Sequence, residues 1–335
     1  NTGTRTAAVS DDVTFTGNLG TFTTTVATTK TMTAAANVVA GKTVNKAGTG
    51  ALAVQIAGAD AAVDLTTIAG SALSTITVTD NVTFTGTLDD AVKTSVNGTK
   101  TLTIAAAKAT GKTIDGAGNV SITALDATAA ADLSSITNSG TRAAAVSENV
   151  TFTGNLGTFT TTVASTKTLT AAASVVNGKT INGDGNVAVT ALNATAAADL
   201  SSITNTGTRT AAVSDNVTFT GNLGTFTTTV ANTKTLTAAA SVVDGKTING
   251  DGNITVTAVD TSTNLASINA SLNHVANLKD GANISGNNNL STVDNFNLES
   301  NAEVTMTKAQ HDKLTVGSAG VGTNKITMSG AASFN

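Results

Sequence analysis

VTFTGNLGTFTTTV, residues 13–26, returns unchanged at 150–163 and at 217–230. Within it, threonine alternates with Val or Phe in the two-residue period that puts one side chain into a core and the next into solvent. Asn-Leu-Gly between the two alternating runs supplies a turn. The stretch therefore reads as two short half-buried strands joined by a tight turn. A drifted copy, VTFTGTLDDAVKTSV, stands at 82–96.

Working outward, the repeat extends over most of the chain. Phe15, Phe84, Phe152 and Phe219 of the TFT motif are 69, 68 and 67 residues apart, and the Gly-Lys-Thr lysines Lys42, Lys112, Lys179 and Lys246 are 70, 67 and 67 apart. Inside the fourth repeat, Thr- or Ser-flanked apolar centres fall at Ile203, Phe219, Leu236 and Val256, at intervals of 16, 17 and 20. Segments of that length cannot close a core alone and are expected to stack on their neighbours. The fold class expected is all-β, a β-solenoid of stacked short strands in four tandem repeats of 67–70 residues. The alternative is a string of tandem small β-sandwiches, one per repeat. The domain organisation expected is a tandem array over 1–270 and a divergent β continuation or end module over 271–335, where Asn and Leu increase and both histidines, His274 and His311, occur. The Ala-rich DATAAADLSSI (126–136) predicts a helical corner capped by Asp126, and KAQHDKL (308–314) one helical turn.

Composition narrows the function. Of 335 residues 40% are hydrophobic, yet aromatics are 3%, all Phe, so the core must be thin. With charged residues at 12% and a net charge of −4, no basic surface is available for nucleic acid. Absence of Cys removes disulfides and thiolate metal sites. No apolar run is long enough to span a bilayer, and no basic-then-apolar signal segment is present. The opening NTGTRTAAVSD (1–11) is identical to 205–215, which leads to the expectation of a piece of a longer protein whose other parts hold targeting signals.

Four motifs invite chemistry. Gly-Lys-Thr ends a phosphate-binding loop, but the loop needs a glycine five residues before its final Gly, and Ala36, Ala106, Ala173 and Ala240 stand there. The expected role is a turn followed by a strand, with the lysine in solvent. Two histidines, no Cys and no nucleophile elbow argue against covalent catalysis. Asp11, Asp80, Glu148 and Asp215 recur before the TFT strand as a solvated edge or a cation site, and Asp11–Asp12 and Asp89–Asp90 are adjacent carboxylates. Such near-identical copies do not supply the unlike environments that acid–base catalysis uses. Asp115, Asp184 and Asp251, in DGAGN- and NGDGN-type turns, are the candidate metal residues, with Ca²⁺ the cofactor considered. The same residues are also ordinary turn formers. Thr-x-Thr motifs raise ice binding, which their uneven sequence intervals disfavour.

At VTFTGNLGTFTTTV, DATAAADLSSITNSG (126–140) and VTMTKAQHDKLTVGSAGVGTNKITMSGAAS (304–333), the chain resembles the Thr/Ala/Gly-rich repeats of secreted bacterial surface proteins, namely surface-layer proteins and large type I-secreted adhesins. The resemblance implies a location outside the bacterial cell, a structural or adhesive role and, often, calcium. The function expected is a non-enzymatic part of a surface layer, filament or adhesin stalk that self-assembles. Its expected partners are other copies of the chain and a cell-surface polysaccharide. The alternatives are an ice-binding solenoid and a phage-type fibre or polysaccharide-binding β-helix.

Overall fold

The computed structural model describes residues 3–269, 273–315 and 323–330. It divides into two compact units, Asn1–Lys167 and Thr168–Asn335. Both are all-β solenoids, and every strand pair among the described residues is parallel. A parallel partner must be reached by a full circuit of the chain. Thr6 lies opposite Thr23 and Val120 opposite Arg142, so one coil takes 17 to 22 residues.

In the first unit the chain alternates between two sheets. Thr6–Val9, Thr23–Val26 and Val44–Lys46 form one, and Val13–Phe15, Thr31–Ala35 and Ala51–Ile56 form the next. Each coil therefore carries two strands, where the sequence reading assigned one apolar centre per coil. The remaining side is held by single turns of helix: Ala36–Val39 packs on the 3₁₀ turn Gly58–Asp60, and Ala106–Ala109 on Leu125–Ala127. Each of these helices has only four residues, because a glycine in the left-handed region follows, Gly41 at φ 68° and Gly111 at φ 70°.

The joint between repeats has a rule of its own. The first strand of a new repeat does not stack on the first strand of the last; it stacks on the final one. In the first unit Leu73–Val78 pairs with Ala51–Ile56, and Arg142–Val146 with Asn119–Thr123. In the second, Arg209–Val213 pairs with Asn186–Thr190, and Asn273–Leu278 with Asn253–Val259. A repeat thus fills three coils and one side of a fourth, and its successor begins one side further round. The side that carried helical turns in one repeat then receives a strand: the Leu125–Ala127 turn touches Val150–Phe152, and Thr153 N–H donates to Ala129 O at 2.7 Å. The last of these joints carries the sheet past residue 270, through Asn273–Leu278 to Asn295–Leu298.

Inward positions stack like on like. Phe84 lies over Ile104, Ile104 over Ile122 and Ile122 over Ala144, all buried. The centre of each TTTV strand is also inward, so Thr24, Thr161 and Thr228 are core threonines. The helical corner expected at 126–136 is a three-residue 3₁₀ turn beginning at Leu125. Asp126 is not its cap and instead accepts from the Ser147 amide at 2.8 Å on the next coil. The turn in KAQHDKL is present as Lys308–His311, capped by Thr307 and Gln310.

Candidate functional site: polar clips between coils

Three of the Gly-Lys-Thr lysines are engaged with backbone rather than left in solvent, which corrects the sequence reading. Lys42 Nζ donates to Gly20 O at 2.7 Å, Lys246 Nζ to Gly224 O at 2.6 Å, and Lys112 Nζ to Leu88 O at 3.0 Å. Each acceptor lies 22 or 24 residues back, on the adjacent coil. The turn that looks like the end of a nucleotide loop places a lysine beneath the Asn-Leu-Gly turn, where it satisfies a carbonyl that no strand partner reaches. Lys112 also pairs with Asp90. The signal was in the sequence as a fixed spacing from Asn-Leu-Gly to Lys, but spacing alone does not say which turns are neighbours.

The recurring acids are occupied too. Asp11 pairs with Lys30 (2.9 Å), Asp80 with Lys100 (3.6 Å), Glu148 with Lys167 (2.5 Å) and Asp215 with Lys234 (3.1 Å). Each is an acid on one coil and a lysine on the next. Lys30 is raised in pKa, first by its hydrogen bond to Asp11. Asp215 is lowered, first by the Asn216 amide and then by Lys234. The edge read as a column of like acids is a set of separate ion pairs. The adjacent carboxylates are likewise spent on structure, since Asp12 accepts from Thr31 N–H at 2.7 Å and Asp89 from Ala91 and Val92 N–H at 2.8 and 2.9 Å.

The three candidate calcium residues stand apart and in unlike settings. Asp115 is in the strand Ile114–Gly116, with a carboxylate oxygen 2.7 Å from Lys93 Nζ. The strands Ile181–Gly183 and Ile248–Gly250 put Asn182 and Asn249, not Asp184 and Asp251, at the equivalent place. Asp184 accepts from Thr206 Oγ1 at 2.8 Å, and Asp251 is an exposed bend residue. Among the described residues no three His, Asp or Glu side chains gather as a metal-holding group.

Two features escaped the sequence reading. Asn138 and Asn205, in N-[ST]-G-T-R, are fully buried and donate Nδ2–H to Gly118 O and Gly185 O at 2.7 Å. Their own carbonyls accept from Arg142 and Arg209. His274 is buried rather than exposed, at 0% accessibility.

Outward, the strands present small uncharged residues in ruled columns. Thr83, Thr103, Ser121, Ala143 and Thr160 follow one another on successive coils, as do Thr218, Thr237 and Thr255. An open cleft of about 640 Å³ is lined by Thr261, Ser262, Asn283, Ser285, Asn287 and Asn289. Among the described residues no helix is long and apolar enough to cross a membrane. Compared with protein-family models, with curated proteins and with solved structures, the chain matches none.

Proposed function

We propose that this chain is a non-enzymatic structural repeat protein that acts outside a bacterial cell, as part of a surface layer, filament or adhesin stalk that self-assembles. The observation that carries the reading is the joint between repeats. Because the last strand of one repeat pairs in register with the first of the next, Ile122 opposite Ala144 in the first unit and Val189 opposite Ala211 in the second, a repeat added within a unit lengthens that unit's solenoid. The recurring charged residues support it further, since they serve coil stacking.

Self-association is the partnership this reading requires. A cell-surface polysaccharide is the second partner proposed, for which the uncharged Asn/Ser/Thr cleft offers amide and hydroxyl groups. Calcium enters as a proposed stabiliser of assembly, not of any one turn. Electron microscopy of negatively stained protein, with calcium at about 5 mM and with chelator, tests these proposals at the affinity of extracellular sites. Sheets or fibres with a regular repeat are expected, and isolated particles in both conditions would refute assembly. Loss of order in chelator would assign calcium a part.

One observation favours ice binding as a second reading: threonines uneven in sequence are adjacent in space, Thr14 over Thr33 and Thr218 over Thr237. It requires thermal hysteresis, and a freezing point equal to the melting point would remove it.

A further inference from the structure

His274 occupies a position whose history is visible in the other repeats. At the joint between repeats, the strand residue opposite Val120 is Arg142, the one opposite Val187 is Arg209, and the one opposite Ile254 is His274. Both arginines reach a backbone carbonyl four residues earlier, that of Asn138 or Asn205, and both are only partly buried. The position tolerates a cation when the side chain is long enough to find an acceptor and water.

Histidine at this position is worse placed. Its ring is fully buried and neither ring nitrogen makes a well-formed hydrogen bond, although the Thr292 backbone lies near enough to favour its charged form. Its backbone is tied on both sides, His274 N–H donating to Asp294 Oδ2 at 2.8 Å and Asp294 N–H to His274 O at 2.9 Å. The charged groups that face it are Asp294 and Lys313, and the latter is engaged with Val293 O at 2.6 Å. The strands packed against it, Asn253–Val259 and Asn295–Leu298, carry no ionisable residue. The ladder is also irregular nearby: the pairing of Asn253–Val259 with Asn273–Leu278 breaks register between Val256 and Val259, where Ala258 takes φ 56°.

We propose that His274 is an acid-sensitive latch: protonating its buried ring opens the pairing of Asn273–Leu278 with the coils on either side, while the joints built on arginine stay closed. Charging a fully buried imidazole that makes no well-formed hydrogen bond is costly, and moving it toward water relieves that cost. Burial already pushes its pKa down to about 4, outweighing the Thr292 backbone and Asp294, which act the other way. The folded pKa is below the ordinary 6.5, so the closed state holds fully above pH 6.5 and loses stability as pH falls from 6.5 to about 4. That shift raises the opening constant roughly 30-fold at pH 5 and on the order of 100-fold at pH 4, relative to pH 8.

Two measurements on the full chain test the latch. Hydrogen exchange, corrected for intrinsic rates, should show 274–278 losing protection between pH 7 and 5 while 209–213 does not. His274→Phe should abolish that pH step, and a step of the same size in the variant would overturn the proposal. Should the variant not fold, the imidazole signals of the unaltered protein decide. Only two histidines are present, so a His311→Gln variant assigns them. A His274 pKa well below 6 is expected, and titration near 6.5 would refute it.

Discussion

Phe22 and Phe159 occupy the same place in identical sequence, GNLGTF, and both belong to the first unit, yet Phe22 is 42% exposed and Phe159 1%. If stacking rather than local sequence holds each side chain, Phe→Ala should cost very different amounts at the two sites. For Phe159 the loss combines the transfer of a whole ring with the cavity left behind, about 3–5 kcal/mol. For Phe22, nearly half of the ring is already in water and the vacated space opens to solvent, so the cavity contribution vanishes and about 1 kcal/mol remains. With neither Trp nor Tyr in the chain, urea denaturation is best followed by far-UV circular dichroism. At a slope of about 3 kcal/mol per molar, Phe159→Ala should lower the midpoint by about 1 M or more, and Phe22→Ala by about 0.3 M. Equal shifts would mean that the GNLGTF turn stabilises itself, and the coil-on-coil account of the core would be wrong.

Other consequences follow from the clips and turns. Lys246→Met keeps the aliphatic stem and loses the bond to Gly224 O, so it should destabilise by about 1–2 kcal/mol in the same assay. Gly221→Ala should be far worse than Gly245→Ala: a Cβ at 221 would overlap the Ala198 carbonyl, whereas at 245 it meets open space and adds only the strain of φ 65°, about 1 kcal/mol. Lys234→Ala removes an exposed ion pair and should leave the neutral-pH midpoint within error. Asp215 has its pKa lowered, so whatever its contacts contribute is present above the ordinary carboxylate range and fades as pH falls through the lowered value; in Lys234→Ala, NMR titration should move the Asp215 pKa upward.

The solenoid was legible because its signal is local. Alternation in TFT and TTTV needs only neighbouring residues, and a 67-residue period needs only counting. The second strand of each coil and the one-side advance were not legible, since both depend on which segments meet after a full circuit. Ile203 illustrates this: it follows the sequence rhythm toward Phe219, but in space it bridges to Ile181, while Phe219 lies opposite Ala238. Lys42 was misread, and the Lys30 partner of the exposed Asp11 was missed, for the same reason. A polar residue whose partner lies 19 or 22 positions away looks unpaired in the sequence. His274 was hidden differently, because His gives no signal of burial unless its register opposite Ile254 is known.

The one-side advance bears on the choice between a spacer and a flat ligand-binding face. Within the first unit, the sheet from Val13–Phe15 to Ile114–Gly116 spans six strands, a ruled strip of about 24 Å at ~4.8 Å per spacing. Within that unit the helical turns change sides from one repeat to the next, because each new repeat starts one side further round. A face that must match a crystal lattice gains from each repeat only if successive repeats present the same side, and the one-side advance prevents that. A spacer gains length from every repeat whatever its rotation. Inserting one further copy of 67 residues after Thr204, ahead of the next repeat's first strand Arg209–Val213, therefore separates the two readings. As a spacer it should lengthen the particle seen by electron microscopy by about three and a third coils, roughly 16 Å, with unchanged stability per residue. An ice-binding face should be broken by the one-side shift and lose hysteresis instead. A particle of unchanged length would refute the spacer account.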